Sequence, residues 1–273
     1  LCVLSACFVI TAAGAIHEAR LQRSFGFRKL ALRALGANIL GGAAALALAR
    51  AGMRLALTGR GREALARTAE LVRAAGGEAL VVPADMGVAG DVQRAWETVH
   101  AAWRRCDLLV NAAGLNVPQR GWSEITPAGI DAVVGVNLNG PFYAARAVLP
   151  TMRAQRGGLI IHVSSWAGRY VSKLTGPAYS AAKHGLVALS ESLNQEECGH
   201  GIRSCCICPG EVATPLLDKR PVPVTAEDRG RMLQAEDLAE TILFVARLPA
   251  SVCVNEILIS PTWNRGYLEG VKL

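Results

Sequence analysis

From Arg54 onward short, continuously apolar runs alternate with longer amphipathic ones, and this limits the folds open to the chain more than any other feature. RLALTG (54–59), EALVVPAD (78–85), DLLVNAAG (107–114), GLIIHVSS (158–165), IRSCCICPG (202–210) and VNEILIS (254–260) read as strands, DLLVNAAG running into a turn. Between them, 62–76, 91–103, a region of about 127–155 interrupted at Pro141 and Pro150, 178–198 and 236–247 read as helices. A strand that is apolar at consecutive positions must be buried on both faces, and covering both faces takes helix layers above and below a parallel sheet. The expected fold is therefore α/β: a Rossmann-like doubly wound parallel sheet of about seven strands, with helices on both faces.

Such a sheet binds ligands at the carboxyl ends of its strands, near the switch in strand order. The residues just past the expected strands have the composition this needs: Thr58-Gly59-Arg60, Asp85, Asn111-Ala112-Ala113-Gly114, Ser164-Ser165, and Pro209-Gly210 followed by Thr214. In GPAYSAAKHGL (176–186), a phenol and an ammonium, Tyr179 and Lys183, stand four residues apart and so share one helix face. A nearby cation favours tyrosinate over tyrosine and moves the phenol toward the range useful for proton transfer. The bland alternative is a surface helix pair.

With 273 residues and 51% apolar content the chain has material for one large domain. The net charge of +7 suggests nucleic acid, but Arg20, Arg23, Arg28, Lys29, Arg33 and Arg50 against Glu18 alone concentrate most of it in the first fifty residues. No basic stripe interleaved with aromatics appears, so nucleic-acid binding is not expected. The first sixteen residues are uncharged, too few to span a membrane, and read either as a signal-peptide core or as an extra strand or helix packed on the domain. The division is an atypical N-terminal extension, 1–28, followed by a single domain, 29–273. The eight cysteines show no disulfide spacing, and Cys205, Cys206 and Cys208 read as small buried strand residues and not as a metal site. Reduced thiols point to the cytoplasm.

Taken together, Tyr179-x-x-x-Lys183, Ser165 fourteen residues before the tyrosine, NAAG at 111–114, Asn137 in VVGVNLNGPF and PGEVATP at 209–215 resemble the short-chain dehydrogenase/reductase superfamily, from about Lys29 to Thr262. The resemblance implies an oxidoreductase that interconverts a ketone or aldehyde and an alcohol by hydride transfer. In it Tyr179 is the general acid or base, and Lys183 lowers the tyrosine pKa and bonds the nicotinamide ribose. Ser165 donates to the substrate carbonyl, with Ser164 as its competitor for that role. Asn137 holds a water on a proton path to Lys183, or is a buried amide bonded to backbone. Cofactor contacts implied in the same way fall on Asp85, Asn111, Ala113, Tyr179, Lys183, Pro209, Gly210, Val212 and Thr214. Arg60, where an acidic residue would select NAD, suits the 2′-phosphate of NADP, with NAD as the alternative. A small-molecule carbonyl or alcohol substrate and a homodimer or homotetramer packed through 127–155 and 178–198 are also implied.

One element departs from the pattern. The family's first strand leads into a glycine-rich turn that brings pyrophosphate to a helix N-terminus. Here KLALRALGANILGGAAALALARAG (29–52) offers two incomplete registers, one using Gly41, the other Gly36 and Gly42, with leucine or isoleucine where glycine is expected. The second reading is therefore a non-catalytic or cofactor-impaired member of the same fold.

Overall fold

The computed structural model describes residues 7–10, 39–219 and 224–268. Among these residues seven strands form one sheet in the order β3-β2-β1-β4-β5-β6-β7. They are β1 (Cys7–Ile10), β2 (Arg54–Gly59), β3 (Ala79–Pro83), β4 (Leu108–Asn111), β5 (Gly158–Val163), β6 (Ile202–Pro209) and β7 (Glu256–Ile259). β2 and β3 are parallel, as are β4 through β7, and each is reached by a helical crossover. β1 departs from the all-parallel expectation. It lies between β2 and β4 but runs antiparallel to both, Phe8 opposite Ala56 on one side and Leu109 on the other.

The helices are α1 (Ile39–Arg50), α2 (Arg62–Ala74), α3 (Ala89–Trp103), α4 (Pro127–Val134), α5 (Gly140–Gln155), α6 (Pro177–Glu197), α7 (Ala226–Arg231), α8 (Ala235–Arg247) and the short α9 (Arg265–Leu268). Successive strand residues point to opposite faces, so Leu55, Leu57, Leu108, Val110, Leu159 and Ile161 pack against α1, α2 and α8. Ala56, Leu109 and Ile160 pack against α3, α5 and α6 on the other side. This two-sided burial is why the strands carry no polar alternation.

The region expected to break at Pro141 and Pro150 does neither. Pro141 is the second residue of α5, directly after a π-helical segment, and the backbone stays helical through it. Pro150 lies inside α5 on its exposed side, where water can reach the carbonyl that the ring frees. The irregularity falls elsewhere: Gly135–Asn139 forms a π-helical segment between α4 and α5. Such segments concentrate at functional positions because the wider turn re-aims a side chain. This one carries Asn137.

Candidate active site

Ser164 and Ser165 follow β5 directly, and their roles separate on geometry. The buried Ser164 hydroxyl donates to the carbonyl of Lys183 at 2.9 Å and so fastens the end of β5 to α6. Ser165 is partly exposed and extended (φ −167°, ψ 164°), and its Oγ accepts from Ala167 N at 3.1 Å. Accepting there leaves the Ser165 hydroxyl hydrogen free to donate outward. Gly168 lets this turn close on α6, since a Cβ there would stand 2.6 Å from Ser164 Oγ and 2.8 Å from Lys183 O.

Tyr179 and Lys183 lie one turn apart in the first half of α6, and Lys183 Nζ is 5.6 Å from the centroid of the Tyr179 ring. The helix starts at Pro177 after Gly176, whose φ of +76° and contact with Arg120 leave no space for a side chain: a Cβ would fall 2.4 Å from Arg120 O. Lys183 is buried, and its Nζ donates at 2.9 Å to the carbonyl of Val163, the last residue of β5. Burial lowers its pKa to about 8, against an opposing pull from Cys206 and Cys208. The ammonium therefore stays mainly charged at neutral pH.

Asn137 is fully buried and spends both amide hydrogens on backbone, on Leu115 O and Val133 O, each at 2.8 Å. Its Oδ1 accepts from Leu115 N at 3.3 Å. The side chain thus ties the π segment to the loop that follows β4, and one lone pair of Oδ1 remains for a further donor.

The remaining expected residues gather along the same edge. Arg60, just past β2, pairs with Asp85, just past β3, at 3.3 Å, with each side chain about one-third exposed. Asp85 is itself fixed, accepting from Gly87 N and receiving Asp91 Oδ2 on its own N–H. Asn111 ends β4, and Ala113 is buried two residues on. Gly210 N donates to Ile259 O at 2.7 Å as Pro209-Gly210 leaves β6. Val212 bridges to Leu233, and Thr214 is buried beyond it. A guanidinium at the β2 end and a buried ammonium beside a tyrosine on α6 are the chemistry a phosphorylated adenosine and a nicotinamide ribose require, so the residues at both ends fit a bound NADP.

The middle of the site is different. Gly41 and Gly42 fall in the first turn of α1, the end of a helix that suits an anion, but Gly36 lies outside the described residues. Among the described residues a Cβ on Gly42 would meet nothing closer than Thr68 Oγ1 at 3.8 Å, so their packing does not demand glycine there. Because β1 is antiparallel, its carboxyl end, Ile10, lies beside Arg54 at the start of β2 and not at the ligand edge. Among the described residues no strand leads directly into α1 at that edge.

Sequence reasoning missed His162. It is fully buried on β5, opposite Asn111 on one side and Cys206 on the other. Its Nδ1 lies 3.2 Å from Asn111 Nδ2, which makes it an acceptor, and Nε2 has no hydrogen-bond partner among the described residues. Burial first, then the Lys183 charge, pushes its pKa down to about 3, so the imidazole is neutral. The available signal was a single imidazole inside an apolar strand, three residues before Ser165. Also unforeseen is the clamp formed by Arg265, which donates to both carboxylate oxygens of Glu211 at 2.8 and 2.6 Å. It fastens α9 to the segment that leaves β6.

Comparison with known proteins agrees with this geometry. Residues 35–222 match the family described as short chain dehydrogenase. An uncharacterized oxidoreductase of Staphylococcus saprophyticus is 32% identical over 228 residues, covering 81% of this chain and 92% of its own. A metagenomic short-chain oxidoreductase solved in complex with NADP superposes with a TM-score of 0.71 at 31% identity, over 82% of this chain and 93% of the other. An alcohol dehydrogenase from the archaeon Thermococcus sibiricus, complexed with 5-hydroxy-NADP, gives a TM-score of 0.75 at 25% identity, over 83% and 93%. With the ordered motifs, the strand order and this match across most of its length, the chain belongs to the short-chain dehydrogenase/reductase family.

Proposed function

We propose that the chain is an NADP-dependent oxidoreductase that interconverts a ketone or aldehyde and the corresponding alcohol, with Tyr179 as general acid in reduction and general base in oxidation. One observation carries the reading: the buried Lys183 ammonium lies 5.6 Å from the Tyr179 ring and donates to Val163 O, two residues before Ser165, at the carboxyl edge of the sheet. When bound, NADPH supplies the hydride to the carbonyl carbon. The residues of the chain manage the charge that then builds on oxygen. Ser165 Oγ donates a hydrogen bond to it, and Tyr179 Oη delivers the proton. The Lys183 ammonium stabilises the tyrosinate left behind until solvent restores its proton. Asn137 holds the loop after β4 in place while this happens. Arg60 selects the 2′-phosphate, and the NADP and 5-hydroxy-NADP bound to the two solved neighbours support that choice.

A second reading, that cofactor binding is impaired, is favoured by the direction of β1 and the leucines and isoleucine in the glycine-rich segment. The two readings separate in one experiment, titration of the purified chain with NADPH followed by nicotinamide fluorescence. Saturation below millimolar cofactor with carbonyl-dependent oxidation supports the enzyme. Absence of saturable binding at millimolar cofactor supports the impaired form.

Cys106, Cys198, Cys205, Cys206, Cys208 and Cys253 are free, although Cys206 and Cys208 Sγ lie only 4.0 Å apart, which suits a reducing compartment such as the cytoplasm. Among the described residues no helix is long and apolar enough to cross a membrane. A groove between α3, α5 and α6, lined by Trp96, Phe142, Leu149 and Leu193, supports packing of a second copy through the long helices. Sedimentation velocity measures that assembly directly.

A further inference from the structure

Resting on the carbonyl-reductase reading, the geometry points to a substrate whose carbonyl carries an aryl group, seated against an aromatic wall formed by Trp166 and Tyr267 beside Ser165. Trp166 follows Ser165 in the chain, so its position is tied to that of the hydroxyl assigned to the carbonyl oxygen. Its ring contacts Tyr170 at 5.1 Å and, edge to face, Tyr267 of α9 at 5.5 Å. These separations and tilts are those that aromatic rings favour among themselves and offer to another ring.

The cluster is not core. Tyr170 and Tyr267 are 50% and 65% exposed. Aromatics make up only 5% of the chain, so two exposed tyrosine rings on a partly exposed Trp166, the residue after the candidate catalytic serine, represent a concentrated apolar surface. Exposed patches of this kind mark contact sites. Both arms are held in place. Arg265, two residues before Tyr267, is locked to Glu211, and Arg169, between the other two rings, donates to both oxygens of Glu256. These carboxylates also neutralise the guanidinium groups of Arg265 and Arg169, which favours a neutral ring over an anionic substrate.

The test uses the full chain with NADPH and two ketones, acetophenone and butanone, on the parent protein and on Trp166→Ala, Trp166→Phe and Tyr267→Ala. The wall predicts a kcat/KM for acetophenone at least about tenfold above that for butanone. Trp166→Ala should lower the acetophenone value about tenfold or more and change the butanone value less than about threefold, with Trp166→Phe recovering most of the loss. Equal treatment of the two ketones by the parent, or equal loss on both in Trp166→Ala, overturns the inference and leaves the carbonyl reading standing. If neither ketone turns over, saturation-transfer NMR on acetophenone decides: transfer that disappears in Trp166→Ala upholds the wall while the carbonyl reading fails, and transfer unchanged by the substitution overturns the wall as well.

Discussion

Replacing His162 by asparagine should remove a specific acid sensitivity from the fold. In the native protein burial and the nearby Lys183 charge hold the imidazole at about 3, whereas an unfolded histidine titrates near its ordinary value of 6.5. A base whose folded pKa lies below its unfolded one contributes nothing against folding above pH 6.5. As pH falls through 6.5 the unfolded chain takes up a proton that the native state refuses, and stability declines by about 1.4 kcal/mol per pH unit. Between pH 6.5 and pH 5 the loss is about 2 kcal/mol, and it continues toward the folded value. The assay is urea unfolding of both proteins at several pH values from 7.5 to 5. Glu197 and Glu256, held below the usual carboxylate range chiefly by hydrogen bonds from Arg153 and Arg169, also shed stability in acid, but they are common to both proteins and cancel in the difference. His162→Asn retains an acceptor for Asn111, so the slope with pH is the readout and not the absolute stability. Parallel curves for the two proteins would refute the claim that His162 is buried and neutral beside Lys183.

Further expectations can be checked independently. Arg60→Leu removes a charge-assisted contact worth about 1.5–3 kcal/mol, so NADPH affinity should fall about 10- to 100-fold while NADH binding changes little, measured by titration with each. Turnover should decline above pH of about 8 as Lys183 loses its proton, and in Lys183→Arg, which keeps its charge, that alkaline limb should move upward in a pH–rate profile. Gly176→Ala forces a side chain against Arg120 O at a positive φ and should cost about 1–3 kcal/mol by urea unfolding. Ile160→Ala, fully buried at the centre of the sheet, should cost about 2–5 kcal/mol in the same assay.

Six of the seven strands were legible in the sequence because burial on both faces writes itself as an uninterrupted apolar run, as in GLIIHV and IRSCCIC. The direction of β1 was not, since four apolar residues pair equally well either way and the choice rests on what lies on both sides of them. Tyr179, Lys183 and Ser165 were legible through local spacing on one helix and one strand end. Pro150 misled because a proline breaks a helix only where its freed carbonyl has no other partner. The pairings Arg265–Glu211 and His162–Asn111 join residues about fifty positions apart, and no local pattern encodes them. Asn137 was placed correctly on a helix, but the π segment that aims it inward depends on packing against the loop after β4.

The proton donor is the centre of the account, and Tyr179→Phe tests it most directly, because it deletes one oxygen and leaves the ring over Lys183. Steady-state ketone reduction with NADPH should lose about 10²- to 10⁴-fold in kcat while NADPH affinity stays within a few-fold of the parent. A phenylalanine variant that reduces ketone at the parent rate would contradict the account.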